Sequence, residues 1–412
     1  MKKCINLLLL IIVFTMLISA QTKEIARDNT HLRQGPGCYY PLIGILSKGT
    51  VVKVQSEKPG WIETNAQDSL GWISENAVIQ QSKIQSGSLS AMSSSRMPTM
   101  ISRASASGAI RGFAQKFIRA HEGNEDFLQN YDVDFIAPDE YISFKADTYR
   151  NRDMLRLRNR YTKLKIGNLD YNIDFDLEKT GMAIAGKIAA TGLDTTRSII
   201  TYVNLVGTQV LENTELYYHP FKFFVLADER PAAYSTPNGM IFISRGLLNL
   251  MDDEAELACV LGHEIAHTVH KHGYQEILKR REMIIADLAF GQLEDELPAE
   301  EDTTYQSLED MTMEMYEAAT FKRQMEYEYE ADKYGICYAY RAGYDPHALA
   351  RLLKRVKQKT RMDFWHPEAV WQTDKIPDRA KKIEETIQED LYRDQQLNFT
   401  WKSRFKVYVS SL

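Results

Sequence analysis

Leu261-Gly-His-Glu-Ile-Ala-His-Thr-Val-His-Lys-His272 holds four of the chain's nine histidines, and the fold is read outward from it. Residues four apart on an α-helix project from one face, so His263 and His267 present two imidazoles to a single point while Glu264 stands beside them. The flanking sequence supports the helix. Asp253 followed by Glu256 is a capping-box start; Leu257, Val260, Leu261, Ile265 and Val269 form an apolar stripe, and Gly273 supplies a stop. His270 and His272 lack the four-residue offset and read as solvated residues at the helix end, where they favour the negative pole of the helix dipole.

A helical H-E-x-x-H is the arrangement with which zinc peptidases hold their metal, the glutamate serving as base. Such a site needs a third protein ligand and one position open to water. About sixty residues on, Phe321-Lys-Arg-Gln-Met-Glu-Tyr-Glu-Tyr-Glu-Ala-Asp-Lys-Tyr-Gly335 offers an acidic helix face. Spacing alone leaves Glu326, Glu328 and Glu330 open. Glu328 is preferred because Asp332 lies one turn later on its face, where it can accept a hydrogen bond from the non-ligating nitrogen of a histidine.

Before the central helix, Lys179–Ala190 and Ser198–Glu212 have helical periodicity, and the second is expected to pack on the sheet that follows. Phe221–Leu226 and Met240–Ser244 read as buried strands, with Pro237, Asn238 and Gly239 supplying a turn ahead of the second. Proline in that setting suits a sheet edge, so Gly239, Met240, Ile241 and Phe242 are assigned to an edge strand able to pair with an extended substrate.

Taken together, Asp253-Glu-Ala-Glu-Leu-Ala-Cys-Val-Leu-Gly-His-Glu-Ile-Ala-His267, the preceding Pro237-Asn-Gly-Met-Ile-Phe-Ile-Ser-Arg-Gly-Leu-Leu248, Glu328-Tyr-Glu-Ala-Asp332 and Ala342-Gly-Tyr-Asp-Pro346 resemble the gluzincin metallopeptidases of the HtpX, BepA and CAAX prenyl protease family. The likeness runs from about Ser198 to Ile383. It implies that His263, His267 and Glu328 ligate one zinc ion, that Glu264 is the general base, and that Asp332 holds a ligand histidine. Two departures stand out. Ala232-Ala-Tyr-Ser235 and Pro237-Asn-Gly239 replace the relatives' Asn-Ala-Phe-Ala and Pro-Gly-Gly, and Thr373-Asp-Lys-Ile-Pro-Asp-Arg379 keeps the arginine of a terminal motif but lacks its Thr-His-Pro histidine. Arg379 is a candidate for oxyanion support.

Towards the N-terminus, Lys2 and Lys3 precede an apolar run, Ile5–Ile18, that closes on Ser19-Ala20, the pattern of a secretory signal over residues 1–20. The run is about 14 residues, short of the roughly 20 that span a bilayer, and Cys4 precedes it, so no lipid-attachment motif is formed. With no other stretch of spanning length, the expected location is periplasmic or secreted, as in the relatives without membrane helices. Residues 22–79 carry His31-Leu-Arg-Gln-Gly-Pro-Gly37, Tyr40-Pro-Leu-Ile-Gly-Ile-Leu-Ser-Lys-Gly49, the strand Val51–Val54, Trp61-Ile62 and Gly71-Trp-Ile73, and closely resemble the bacterial SH3 domain. That implies peptide or peptidoglycan binding, with Tyr40, Trp61 and Trp72 either lining a groove or filling a small core. The serine-rich residues 80–108 read as a flexible linker. Arg156–Ile166 and Leu169–Leu177 alternate as the strands of a hairpin around Gly167-Asn168.

The expected fold is α+β: an SH3-like barrel (22–79), the linker, a helical and hairpin region (109–194), a mainly helical zinc metallopeptidase domain with a small sheet beside the H-E-x-x-H helix (195–390), and a C-terminal extension (391–412). A net charge of −6, more acidic once Lys2 and Lys3 are removed, excludes a partner held through phosphates, so no nucleic acid is expected. Cys38, Cys259 and Cys337 are an odd set without C-x-x-C spacing, the last two reading as small buried hydrophobes. The functional expectation is an envelope zinc endopeptidase acting on protein and peptide substrates. The alternative is a peptidoglycan- or peptide-binding, chaperone-like envelope protein with a latent metal site.

Overall fold

A computed structural model describes residues 22–78, 83–86, 99–149, 175–280, 308–359, 374–389 and 399–410, with short gaps at 27–29, 38–39, 67, 134, 215, 218, 220 and 322. The leader lies outside the described residues. The chain divides into two compact units, Met1–Gln80 and Gln81–Leu412.

In the first unit, β1 (Thr22–Glu24), β2 (Thr30–Arg33), β3 (Leu42–Leu46), β4 (Val51–Lys58), β5 (Trp61–Ala66) and β6 (Ser69–Ser74) form one sheet in the order β1-β4-β5-β6-β2-β3 with antiparallel neighbours. Alternation does the work: Leu42 and Leu46 turn inward and Ile43 and Ile45 lie half-buried. Ile25, Leu32, Leu46, Val52, Ile62 and Ile73 make the core. Trp72 is buried with the Lys58 ammonium 4.9 Å from its ring centre, which places it with the core, whereas Tyr40 and Trp61 are half-buried.

The second unit opens with a correction. In the stretch expected to be a linker, β7 (Lys83–Ser86) pairs antiparallel with β8 (Thr99–Ser102), and α1 (Arg103–Ala120) follows directly. Serine-rich sequence is poor in apolar area, but strand pairing is satisfied by the main chain, whatever the side chains. The short α2 (Glu125–Asn130) and α3 (Pro138–Thr148) come next, and then α4 (Phe175–Ile188). This helix begins inside the second strand of the expected hairpin, because Leu177, Ile184 and Ile188 share a helical face whose burial outweighs the local alternation. The remainder of that hairpin lies outside the described residues. Phe117, Phe127, Ile184, Phe224, Phe242 and Met315 belong to one core, so the boundary drawn at 194/195 passes through a continuous interior.

α5 (Arg197–Leu211) packs on the sheet as its periodicity requires. The sheet itself has three strands, β9 (Lys222–Leu226), β10 (Ala233–Ser235) and β11 (Met240–Ser244), in the order β10-β11-β9. β11 is therefore central, parallel to β9 and antiparallel to β10. The assignment of Met240, Ile241 and Phe242 to an edge is corrected: the edge beside the turn is β10, a strand of three residues, too short to show an alternation of its own. Gly239 is in the turn, at φ +85°, where a side chain would be strained.

After α6 (Arg245–Leu250) comes the central helix, α7 (Glu254–Val269), in which every residue is buried. Asp253 Oδ1 accepts from the Glu256 amide at 3.1 Å, while Glu256 Oε2 reaches back to the Asp252 amide at 2.8 Å. α8 (Leu308–Thr320), α9 (Met325–Arg341), α10 (Ala348–Lys359), α11 (Ile376–Glu389) and α12 (Lys402–Val409) complete the unit. α9 lies directly on α7 through two glycines: a Cβ on Gly262 would stand 2.6 Å from the Gly335 carbonyl oxygen, and one on Gly335 2.6 Å from the His263 nitrogen. The C-terminal segment docks on the start of α7. Arg404 pairs with the fully buried Glu254, which also accepts from Tyr202 at 2.7 Å and Tyr344 at 2.8 Å, and Tyr408 stacks on Tyr202 with ring centres 4.2 Å apart. Cys259 and Cys337 are both buried.

Candidate active site

The glycine contact between α7 and α9 carries Glu328 and Asp332 to the histidine face. His263 Nε2 and His267 Nε2 stand 3.0 Å apart; Glu328 lies 3.6 Å from the first through Oε2 and 3.4 Å from the second through Oε1. All three residues are buried, and donor atoms from each lie within 4.8 Å of one another. Two imidazole nitrogens and a carboxylate are the ligand chemistry of a catalytic zinc site, so the residues fit a divalent metal. Asp332 Oδ1 sits 2.9 Å from His263 Nδ1, on the side away from the converging donors.

Arg379 has a different place from the one expected of it. Its Nε and Nη2 donate to the two Asp332 oxygens at 2.8 and 2.7 Å, and Nη1 lies 3.1 Å from Glu328 Oε2. The guanidinium is spent on aligning the two carboxylates, which corrects the reading of Arg379 as oxyanion support. Both carboxylates are held below their ordinary range: burial, the largest single influence, opposes this, but the Arg379 charge and the hydrogen bonds from Arg379 and the ligand histidines together outweigh it. Burial likewise disfavours a charged His263, yet Asp332 and Glu328 raise its pKa to about 9, while burial and the nearby Arg323 push His267 well down.

His272 is the second correction. It is 1% exposed, with Nδ1 2.8 Å from Nδ1 of His267 and Nε2 3.3 Å from Glu330. Five residues along a continuous helix would carry it off that face. Lys271, at φ +53°, breaks the helix in place of Gly273 and folds His272 back behind the ligand. Burial, followed by His270 and Arg323, lowers its pKa to about 3, so it packs as a neutral ring that fixes the orientation of His267.

Glu264 is 4% exposed and points into a cleft lined by Ala233, His263, Ala319, Arg323, Glu328 and Arg379. The Ala232–Ser244 and Thr236–Met240 backbone bonds set the pattern of the β10–β11 ladder, so Ala233 and Ser235 turn their N–H and C=O groups to the outer side of β10. A second cleft, lined by Ser235, Pro237, His267 and Arg323, adjoins the same strand.

The model of peptidase family M48 matches residues 201–387, which include His263, Glu264, His267, Glu328, Asp332 and Arg379. Residues 201–387 are a family M48 peptidase domain. The bacterial SH3 model matches residues 28–79. Similar proteins include the putative beta-barrel assembly-enhancing protease of Vibrio cholerae, 29% identical over 39% of this chain and 33% of that protein. The beta-barrel assembly-enhancing protease of Escherichia coli K12 is 24% identical over 40% of the chain and 34% of its own length, and the mitochondrial metalloendopeptidase OMA1 of Schizosaccharomyces pombe is 30% identical over 38% and 43%. The chain thus spans about a third of the length of the first two. The M48 domain is a metallopeptidase domain, and among the described residues no helix is long and apolar enough to cross a membrane.

Proposed function

We propose that the chain is a zinc-dependent endopeptidase of the cell envelope that hydrolyses peptide bonds in proteins. One observation carries the reading: three buried donors converge beside a buried glutamate that faces a cleft ending at a sheet edge. Zinc held by His263, His267 and Glu328 would supply Lewis acidity, favouring ionisation of water and polarising a carbonyl. Glu264 takes a proton from the attacking water as the water oxygen bonds to the scissile carbonyl carbon, and later delivers it to the leaving nitrogen as the C–N bond breaks. Ala233 and Ser235 pair with the substrate main chain as an added strand, which suits an extended, unfolded segment rather than a folded protein. Arg379, Asp332 and His272 keep the ligands in register.

An apolar leader and the likeness to beta-barrel assembly-enhancing proteases support a periplasmic or secreted setting and unfolded envelope proteins as substrates, a quality-control role. The SH3 domain, with the half-buried Tyr40 and Trp61, supports attachment to peptidoglycan or cell-wall peptides. The test is digestion of β-casein by the full chain: cleavage lost on chelation and restored by zinc, and absent with metal in His263→Ala, is the expected result. Undiminished cleavage in the chelated protein overturns the proposal. Peptidoglycan pull-down of the full chain tests the accessory role.

A further inference from the structure

Hydrolysis at this site develops negative charge on the scissile carbonyl oxygen, and Arg379, which also lines the cleft, is engaged with Asp332 and Glu328. A second arginine lines the same cleft. Arg323 lies between α8 and α9, its side chain 11% exposed, and it lines both clefts that flank the ligand histidines. Its Nη1 is 3.7 Å from Glu264 Oε2, and its Nη2 donates to the Ser235 hydroxyl at 3.4 Å. It therefore spans from the base to the strand on which a substrate would align. Glu264 Oε2 is buried and accepts no hydrogen bond from the protein. A separation of 3.7 Å is an ion pair and too wide for a hydrogen bond, so the Nη1 hydrogens are not engaged by this carboxylate oxygen.

We propose that Arg323 is a further catalytic residue, donating to the scissile carbonyl oxygen as that oxygen becomes an oxyanion. The proposal rests on the peptidase reading. As water adds, its oxygen bonds to the carbonyl carbon, one proton passes to Glu264, and the carbonyl π pair moves to the oxygen that Arg323 meets. On collapse the pair returns, the C–N bond breaks, and the nitrogen leaves with the proton from Glu264, so that one water and one peptide bond become an acid and an amine. A guanidinium already in place needs little reorganisation when the charge appears, which is where such a donor contributes most. Its reach to Ser235 also ties its position to the substrate strand, so charge stabilisation and strand alignment are set by one side chain.

The test uses the zinc-loaded full chain, fluorescein-labelled β-casein and a phosphinic pseudo-tetrapeptide, whose tetrahedral anion mimics the adduct. Arg323→Ala is expected to lower kcat about 100-fold with KM within about threefold, and to weaken phosphinate binding to a similar degree, while zinc content stays at the parental level. Added guanidinium restores part of the rate, and Arg323→Lys retains an intermediate rate. A kcat within fivefold of the parent, a change confined to KM, or zinc lost in proportion to activity overturns the assignment. If the parental protein leaves casein intact, the peptidase reading fails, and the phosphinate still decides on Arg323: affinity lost in Arg323→Ala upholds its oxyanion-binding role, and affinity unchanged overturns it.

Discussion

Replacing Gly335 by alanine tests whether the contact between α7 and α9 sets the ligand geometry. The new Cβ would stand 2.6 Å from the His263 nitrogen and 2.7 Å from its Cα, against an ordinary contact of at least 3.4 Å, so the helices must part by about 0.8 Å. Alanine gains about 1 kcal/mol of helix propensity over glycine, and overpacking against backbone costs about 1–3 kcal/mol, which leaves a net loss of about 1 kcal/mol in the metal-free protein. The effect on metal is larger. Glu328 and Asp332 ride on the displaced helix and His263 and His267 on the other, and a zinc site tolerates errors of only about 0.2 Å in its ligand distances. Gly335→Ala should therefore weaken zinc binding at least tenfold, which removes about 1.4 kcal/mol or more from the stabilisation that zinc confers. Denaturant unfolding with and without zinc, together with a competitive zinc titration, separates the two effects. Parental zinc affinity, or a metal-free protein made more stable by the full propensity gain, would refute the argument.

Other substitutions probe other parts of the account. His272→Ala should weaken zinc binding about 10- to 100-fold by freeing the His267 ring, and the same titration reads it. Arg404→Ala leaves the buried Glu254 without its cation and should destabilise the second unit by about 3 kcal/mol, with kcat per folded molecule unchanged; equilibrium unfolding and active-site titration check the two halves. Ala233→Pro removes an outward N–H from β10 and is tolerated at a sheet edge, so KM for casein should rise several-fold while the fold, followed by circular dichroism, persists.

What could be read in the sequence follows from how local each signal is. The α7 cap, the i,i+4 histidine pair and the Glu328–Asp332 pair are short-range patterns on single helices, and the structure brings them together as that spacing implies. His272 escaped because a left-handed Lys271 rotates it through an angle that helical periodicity does not contain. β10 leaves no signal because three residues carry no alternation, and the longer apolar run beside it reads as the edge instead. The role of Arg379 depends on α11 crossing α9 and that of Arg323 on the approach to α9, tertiary facts without a local signature. The paired strands β7 and β8 were hidden by composition, since main-chain pairing leaves little trace in serine-rich sequence.

The central claim, that Glu264 is the base of a metal-dependent peptidase, is tested most directly by Glu264→Gln, which removes the proton acceptor and keeps the shape of the side chain. Casein cleavage and zinc content are measured on the same preparation. Hydrolysis lost with zinc retained at the parental stoichiometry is the predicted result; cleavage at the parental rate contradicts the account.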